Sequence, residues 1–262
     1  MKNSDAVLAV FDREMRENVA ADGPGARVER TGGVVRQVGA DSGWHGWTGV
    51  VWSGLDERTA DAAIAAQVRH FTAQGREFEW KLYAHDEPAD LAVRLRAAGF
   101  VPEPEEAVMV AEVREVSTGA VLPEGVRLRH VTGPADVELV GYVHERAFGA
   151  EDPRIRHQLL AQLADAPDTV VVVLAMAGEK PVCAARLELH PGTRFAGLWG
   201  GGTVEEWRGR GIYRALVAYR ARIAAERGFR YLQVDASSDS RPILHRLGFT
   251  ALSTTTPYTY RP

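Results

Sequence analysis

The chain has 262 residues, 45% hydrophobic and 25% charged, with a formal net charge of −4 at pH 7, a composition typical of a soluble globular protein with room for two small domains. Its single cysteine, Cys183, excludes an intramolecular disulfide and a cysteine-rich metal site, and we expect no metal. We find no leader segment and no apolar run of membrane-spanning length, so we expect a cytoplasmic protein without a membrane partner.

Hydrophobic spacing predicts alternating helices and strands in residues 1–115. An opening helix has Val7, Phe11 and Met15 on one face. Two further helices run from Asp56 to Gly75 and from Asp86 to Gly99, each ended by its glycine. The predicted strands of this half are Val34–Val38, Trp47–Trp52, Phe78–Tyr83 and Ala107–Val113.

Residues 116–125 are polar and rich in small residues, and we interpret them as a linker. Beyond the linker the pattern predicts two helices and four strands before position 204. The continuous apolar run Thr169–Met176, which is rich in β-branched residues, is typical of a buried strand, and short turns connect it to the next two strands in an antiparallel meander. The helices are Pro134–Phe148 and Arg154–Leu163, and the strands are Val126–His130, Thr169–Met176, Val182–His190 and Phe195–Thr203.

The most informative stretch is the turn Arg208-Gly209-Arg210-Gly211, which connects a glycine-interrupted strand to a long helix. A helix N-terminus presents unpaired backbone N–H groups and a partial positive charge. Two glycines let an anion approach the backbone, and two arginines add charge. We therefore predict a phosphate-binding turn, called the cradle below (residues 208–213); the alternative is a tight turn with solvent-facing arginines. The helix has an apolar face with arginines on its other faces and ends at Gly228, the apolar residues being Ile212, Ala215 or Leu216, Tyr219 and Ile223.

A dinucleotide-binding turn is the competing interpretation of Gly209-x-Gly211, and three features argue against it. Arg214 stands where a third glycine would allow close packing of helix and strand. Gly200–Gly202 interrupt the strand before the turn, unlike a buried parallel strand. After Asp235 too little chain remains for the rest of a doubly wound sheet.

With the following strand Tyr231–Asp235 and the closing Leu247-Gly248-Phe249, the cradle resembles the signature of the GCN5-related N-acetyltransferase (GNAT) superfamily. In that family the pattern Gln/Arg-x-x-Gly-x-Gly/Ala holds the pyrophosphate of acetyl-CoA. Here Tyr213 replaces the small last residue. The resemblance covers Val126–Tyr260 and implies acetyl-CoA, or another acyl-CoA, as co-substrate. The cofactor-binding residues that it implies are Gly201, Gly202, Thr203, Arg208, Gly209, Arg210, Gly211, Ile212, Tyr213 and Arg214.

The order strand, helix, Gly-Phe occurs twice, in Gly75–Phe100 and again in Gly228–Phe249, unless the two endings coincide by chance. The resemblance then implies an α/β fold class (an α+β mixed sheet) with two GNAT-like halves, each a mixed, mostly antiparallel sheet flanked by helices. The first half has no cradle, because acidic residues follow Leu55 at the corresponding turn. We predict a degenerate domain over residues 1–115, a linker over 116–125 and a GNAT acetyltransferase domain over 126–262.

Acyl transfer to an amine needs a group that takes the proton of the nucleophile and a donor for the thioester oxygen. Glu188, on the strand next to the glycine-interrupted one, is the candidate base; the alternative is a solvent-facing strand carboxylate. The resemblance places Ser237 where many family members have an asparagine. It places Leu244 where they have a tyrosine general acid, so the usual acid is missing. Asp235 either lies near the acceptor or caps Ser237.

The resemblance implies a transferase that moves acetyl from acetyl-CoA to a primary amine of a small molecule or peptide. Residues 116–262 carry 18 Lys/Arg and 15 Asp/Glu, which suits a polyanionic co-substrate, without the clustered basic tract typical of nucleic-acid binding. The alternatives are a non-catalytic CoA-binding or interaction protein and an aminoacyl-tRNA-dependent acyltransferase, which no basic tract favours. We expect a monomer or homodimer, and 28 arginines against 3 lysines favour a bacterial source.

Overall fold

The computed structural model describes residues 4–23, 25–40, 46–149 and 153–262. Contacts divide the described residues into two compact units. The N-terminal unit consists of those up to Val108 together with Asp235–Ser238 and Ala251–Pro262, and the C-terminal unit consists of those within Met109–Val234 and Asp239–Thr250. The predicted fold class, mixed sheets flanked by helices, is confirmed.

The described residues form twelve strands. They are β1 (Arg27–Thr31), β2 (Val34–Val38), β3 (Gly49–Ser53), β4 (Phe78–Tyr83), β5 (Val101–Pro102), β6 (Glu106–Glu112), β7 (Val126–His130), β8 (Val170–Ala177), β9 (Lys180–Leu189), β10 (Phe195–Thr203), β11 (Tyr231–Ala236) and β12 (Thr250–Tyr260). The strand predicted from Trp47 begins at Gly49, where β3 starts to pair with β4. The polar strand β1 was not predicted, since its residues lie at the exposed edge of the sheet.

The α-helices of the described residues follow the predicted positions closely. They are α1 (Ser4–Phe11), which continues as a π-helix over Asp12–Glu17, α2 (Ala60–Thr72), α3 (Leu91–Ala97), α4 (Pro134–Phe148), α5 (Pro153–Asp165), α6 (Ile212–Glu226) and α7 (Arg241–Arg246). None of these helices, within the part of the chain that is described, is long and apolar enough to span a membrane.

In the N-terminal unit the strand order is β1-β2-β3-β4-β12, with β5 paired to β12. β3 and β4 run parallel, and the other neighbouring pairs run antiparallel. Side chains from α2 and α3 pack against the strands in one apolar core. The largest fully buried members of this core are Phe71, Phe78, Trp80, Leu91 and Leu95.

In the C-terminal unit β8, β9 and β10 form the predicted antiparallel meander, and β7 adds to it by pairing antiparallel with β8. The chain then crosses through α6 and returns as β11, whose first residues run parallel to β10. The β-branched strand β8 is buried as expected and shares a core with α4, α5 and α6. This arrangement brings the end of β10 to the N-terminus of α6, where the cradle was predicted.

Strand β12 connects positions that are distant in sequence. Its residues from Ala251 belong to the N-terminal unit, where Thr255 pairs with Tyr83 and Tyr260 with Phe78. The compact units are therefore not two consecutive stretches of chain. The predicted domain boundary, with a linker at residues 116–125, stays a prediction.

Candidate functional site

Strands β10 and β11 separate after a short parallel pairing. Phe195 pairs with Tyr231 and Gly197 with Gln233, where the ladder between the described residues of these strands ends. On its other edge β10 has a bulge, because its pairing with β9 passes from Trp199 directly to Gly202. A bulge adds local twist and bends its strand. The second half of β10 is therefore turned away from β11, which opens one edge of its backbone.

Gly200 and Gly201 form this bulge, and Gly202 resumes the pairing with β9. Gly200 has a φ of +57°, a left-handed conformation that an L side chain rarely adopts. A Cβ on Gly201 would lie 2.9 Å from the ring of Tyr213, and one on Gly202 would lie 2.8 Å from Phe148. Both distances are too short for real contacts, so only glycines let these rings close on the two faces of the strand.

The cradle has the geometry that an anion site requires. After the 3₁₀ turn Glu205–Trp207, Gly209 and Gly211 have φ values of +75° and +81°. Gly211 is the N-cap of α6 and, lacking a side chain, caps no N–H group. The first N–H groups of the helix therefore point outward unpaired, with the positive end of the helix dipole behind them. A Cβ on Gly209 would meet no atom within 4 Å, so this side of the turn is open.

The arginines of the cradle hold the turn in place. Arg208 donates from Nη2 to the carbonyl of Ala147 at 2.9 Å and from Nε to that of Thr203 at 3.2 Å. Arg210 donates to the carbonyl of Glu206 and stacks over a tryptophan ring. Arg214 is exposed in the first turn of α6, next to Gly211. Their charges keep the turn positive, and the role predicted for the Arg208 and Arg210 side chains as direct phosphate ligands stays a prediction.

Tyr213 is the residue that departs from the family pattern. Its ring packs against Gly201 and is half-buried, and burial raises the pKa of its hydroxyl above the ordinary value. Ile212 is fully buried in the core beneath the cradle. The ring thus lies on the helix side of β10 and leaves the N–H groups at the start of α6 uncovered by any side-chain cap. The residues present fit a phosphate-bearing ligand with an extended arm along β10.

The candidate catalytic residues lie in different surroundings. Glu188, on β9 opposite Gly197, is 8% exposed and lies 3.0 Å from Nε of Arg186, an ion pair without hydrogen-bond geometry. It is therefore not the solvent-facing carboxylate of the alternative interpretation. Ser237 is exposed and belongs to the N-terminal unit. Leu244 is fully buried on α7, so a hydrocarbon occupies the position where the family has its acid.

Two features were missed by the sequence interpretation. Arg220 is only 1% exposed, although we expected the arginines of α6 on its outer faces. Its spacing of four from Leu216, which continues the apolar stripe, was the available signal. In the N-terminal unit, Asp235 forms an ion pair with Lys81, and Glu106 lies beside them. Burial and the nearby charge of Asp235 raise the pKa of Glu106 to about 7. No spacing along the chain could reveal this second cluster, because its members are on three different strands.

No group of three side chains that could hold a metal ion occurs in the part of the chain that the structure describes. The open edge of β10 and the glycine turn at the N-terminus of α6 instead define the fold of an acyl-CoA-dependent acyltransferase. Residues 136–249 match the model of the acetyltransferase (GNAT) family. This region is a GNAT domain by that match, which confirms the resemblance seen in the sequence.

Solved structures show the same fold over more than nine tenths of the chain. A GCN5-related N-acetyltransferase from Kribbella flavida is 19% identical, with a TM-score of 0.69 over 100% of this chain and 95% of its own. A tandem GNAT protein from the clavulanic acid biosynthesis pathway is 16% identical, with a TM-score of 0.62 over 92% and 85%. A functionally unknown protein from Staphylococcus epidermidis is 11% identical, with a TM-score of 0.68 over 94% and 96%. No curated protein matches the sequence.

Proposed function

We propose that this protein is an N-acetyltransferase that moves the acetyl group of acetyl-CoA to a primary amine of a small molecule or peptide. The observation that carries the proposal is that the glycine bulge of β10 leads along the chain into the uncapped N-terminus of α6. Such a path offers backbone groups to an extended arm and N–H groups to a phosphate. Acetyl-CoA supplies an acyl group activated as a thioester; the protein supplies binding, orientation and the handling of a proton.

In this proposal the residues divide the work as follows. The N–H groups of the cradle from Gly209 onward bind the pyrophosphate, and Arg214 adds an exposed positive charge beside it. The freed backbone of β10 near Gly201 orients the arm and donates to the thioester oxygen as it gains charge. Glu188, or a water chain that it orders, accepts the proton of the amine. Solvent returns a proton to the sulfur after the transfer.

A non-catalytic CoA-binding protein is the second candidate, because Leu244 stands at the acid position and the Tyr213 ring packs on β10. The experiment that separates the two is an assay of free thiol release from acetyl-CoA with a panel of primary amines. Amine-dependent release, with a mass increase of one acetyl group on the amine, supports the transferase. Tight binding of CoA in calorimetry without release by any amine supports the binding protein instead. Absence of both signals contradicts both candidates.

A further inference from the structure

The side chain of Arg220 is a buried cation without an anionic partner. It is 1% exposed and donates from Nε to the carbonyl of Leu216 at 3.1 Å and from Nη1 to that of Arg186 at 2.8 Å. Among the described residues no carboxylate forms an ion pair with it, and Nη2 donates no hydrogen bond. Burial of an unpaired charge is unfavourable, and proteins keep such groups mostly where they act.

The guanidinium lies directly beneath the bulge of β10. Arg186, whose carbonyl it binds, is the β9 residue opposite Trp199, where the regular pairing stops. Nη2 lies 3.7 Å from the position that a Cβ on Gly201 would take. The Tyr213 ring lies nearer to the same position, at 2.9 Å, so the guanidinium and this neutral ring together face the glycine from the helix side of β10.

The neighbours of Arg220 leave its charge available. Burial raises the pKa of the Cys183 thiol to about 11, and it raises the pKa of the Tyr213 hydroxyl above its ordinary value. Both groups are therefore neutral near pH 7 and cannot act as counterions. A hydrogen bond to the Arg186 carbonyl alone would need only a neutral donor, so the positive charge itself calls for an explanation.

We propose that Arg220 stabilises the negative charge that develops on the sulfur of CoA as the acyl group leaves. In that step the amine nitrogen forms a bond to the acyl carbon, the carbon–sulfur bond breaks, and its electron pair stays on sulfur as a thiolate. The amine proton passes to the base or to water, so charge and atoms balance. A cation in a desolvated site stabilises such an anion without transferring a proton, which accounts for a site whose acid position holds Leu244. This inference rests on the proposed function.

The test measures the thiol pKa of CoA bound to the protein, by the ultraviolet absorbance of the thiolate during a pH titration. An opposite charge within about 4–6 Å lowers a pKa by roughly 1–3 units. For the wild type we expect the bound thiol to titrate at least about one unit below free CoA. At alkaline pH, where the thiol is ionised, the affinity for CoA relative to desulfo-CoA should therefore be about tenfold higher than it is at neutral pH. This comparison needs no variant, so it remains valid even if a variant fails to fold.

Two variants separate the charge from the hydrogen bond. R220Q keeps a donor for the Arg186 carbonyl and loses the charge, whereas R220K keeps the charge. We expect R220Q to bind CoA but to lose the shift of the bound thiol, and R220K to retain most of it. Thermal unfolding of R220Q should be at or above the wild-type temperature, because a buried charge has been removed.

The outcomes that overturn the inference are distinct from failure of the proposed function. A wild-type bound thiol that titrates like free CoA, or an R220Q variant that keeps the shift, contradicts it. A preference for succinyl-CoA over acetyl-CoA that R220Q abolishes would assign the charge to recognition of an acyl carboxylate, and would also overturn it. If wild-type protein binds no CoA at all, the proposed function itself is wrong.

Discussion

Replacing Gly211 by glutamate tests the cradle most directly. At the φ of +81° found there, a residue with a side chain is strained by about 1–2 kcal/mol, but this strain is present in the free and the bound protein alike. A carboxylate at the phosphate site also repels the phosphate. For two unit charges ~4 Å apart at an effective dielectric constant of about 20, this repulsion is about 4 kcal/mol. A Cβ at this position would also lie 3.3 Å from Nη2 of Arg214, whose charge the carboxylate would neutralise. We therefore expect G211E to bind CoA about a thousandfold more weakly.

Isothermal titration calorimetry with CoA measures this loss, and G192E is the matched control. Gly192 lies in the turn between β9 and β10 with a φ of +80°, and a Cβ there meets no atom within 4 Å. This variant introduces the same strain and the same charge at the other end of β10 from the cradle, so it should bind CoA as the wild type does. We expect one CoA per chain. Unchanged affinity in G211E, or a stoichiometry of two, would refute the assignment of the phosphate site to the start of α6.

Three further predictions concern pH and domain organisation. The plot of kcat/KM against pH should rise through one ionisation and stay flat towards pH ~10, because Leu244 replaces the acid; an alkaline fall that Y213F removes would contradict direct transfer. Because the pKa of Glu106 is raised to about 7, the folded protein favours the neutral carboxyl. The stability that this proton provides is present at low pH and is lost as the pH rises through 7. At pH 8 the free energy of unfolding of E106Q, measured in urea, should exceed that of the wild type by about 1–2 kcal/mol, a value reduced to allow for solvent screening of a partly exposed group. Near pH 4 the two proteins should be equally stable. An equal difference at both pH values would exclude this titration. Residues 120–262 alone should lack cooperative unfolding and full activity, because β12 loses its partner β4; a soluble, cooperative and fully active fragment would show that the first half is dispensable.

The parts of the fold that depend on local pattern could be predicted from the sequence. β7, α4 and β10 begin and end as predicted, because their apolar spacing, their proline and their glycines act over a few residues. The cradle was visible for the same reason, since glycines at a helix N-terminus have a local meaning. The strand β1 has little apolar content and pairs only at the edge of its sheet, so its pattern carries little signal.

The features that depend on distant contacts could not be predicted. The burial of Arg220 depends on the register of β9 and β10, which puts the Arg186 carbonyl at a bulge. The raised pKa of Glu106 depends first on its burial and then on charges from two other strands of its unit. Likewise, the sequence could place Glu188 on a strand, but only the packing shows that it is nearly buried beside Arg186.

The pairing of β12 with β4 has a consequence for the protein during its synthesis. The hydroxyl of Thr255 binds the carbonyl of Leu82, 173 positions earlier in the chain. At about 5–20 residues per second, the ribosome needs on the order of 10–30 s to make the intervening polypeptide. During that interval β4 has an unpaired edge, and such edges associate readily with other strands. We expect the nascent chain to depend on chaperones during this interval. We also expect that closely spaced ribosomes on one messenger RNA favour domain swapping, in which β12 of one chain pairs with β4 of another.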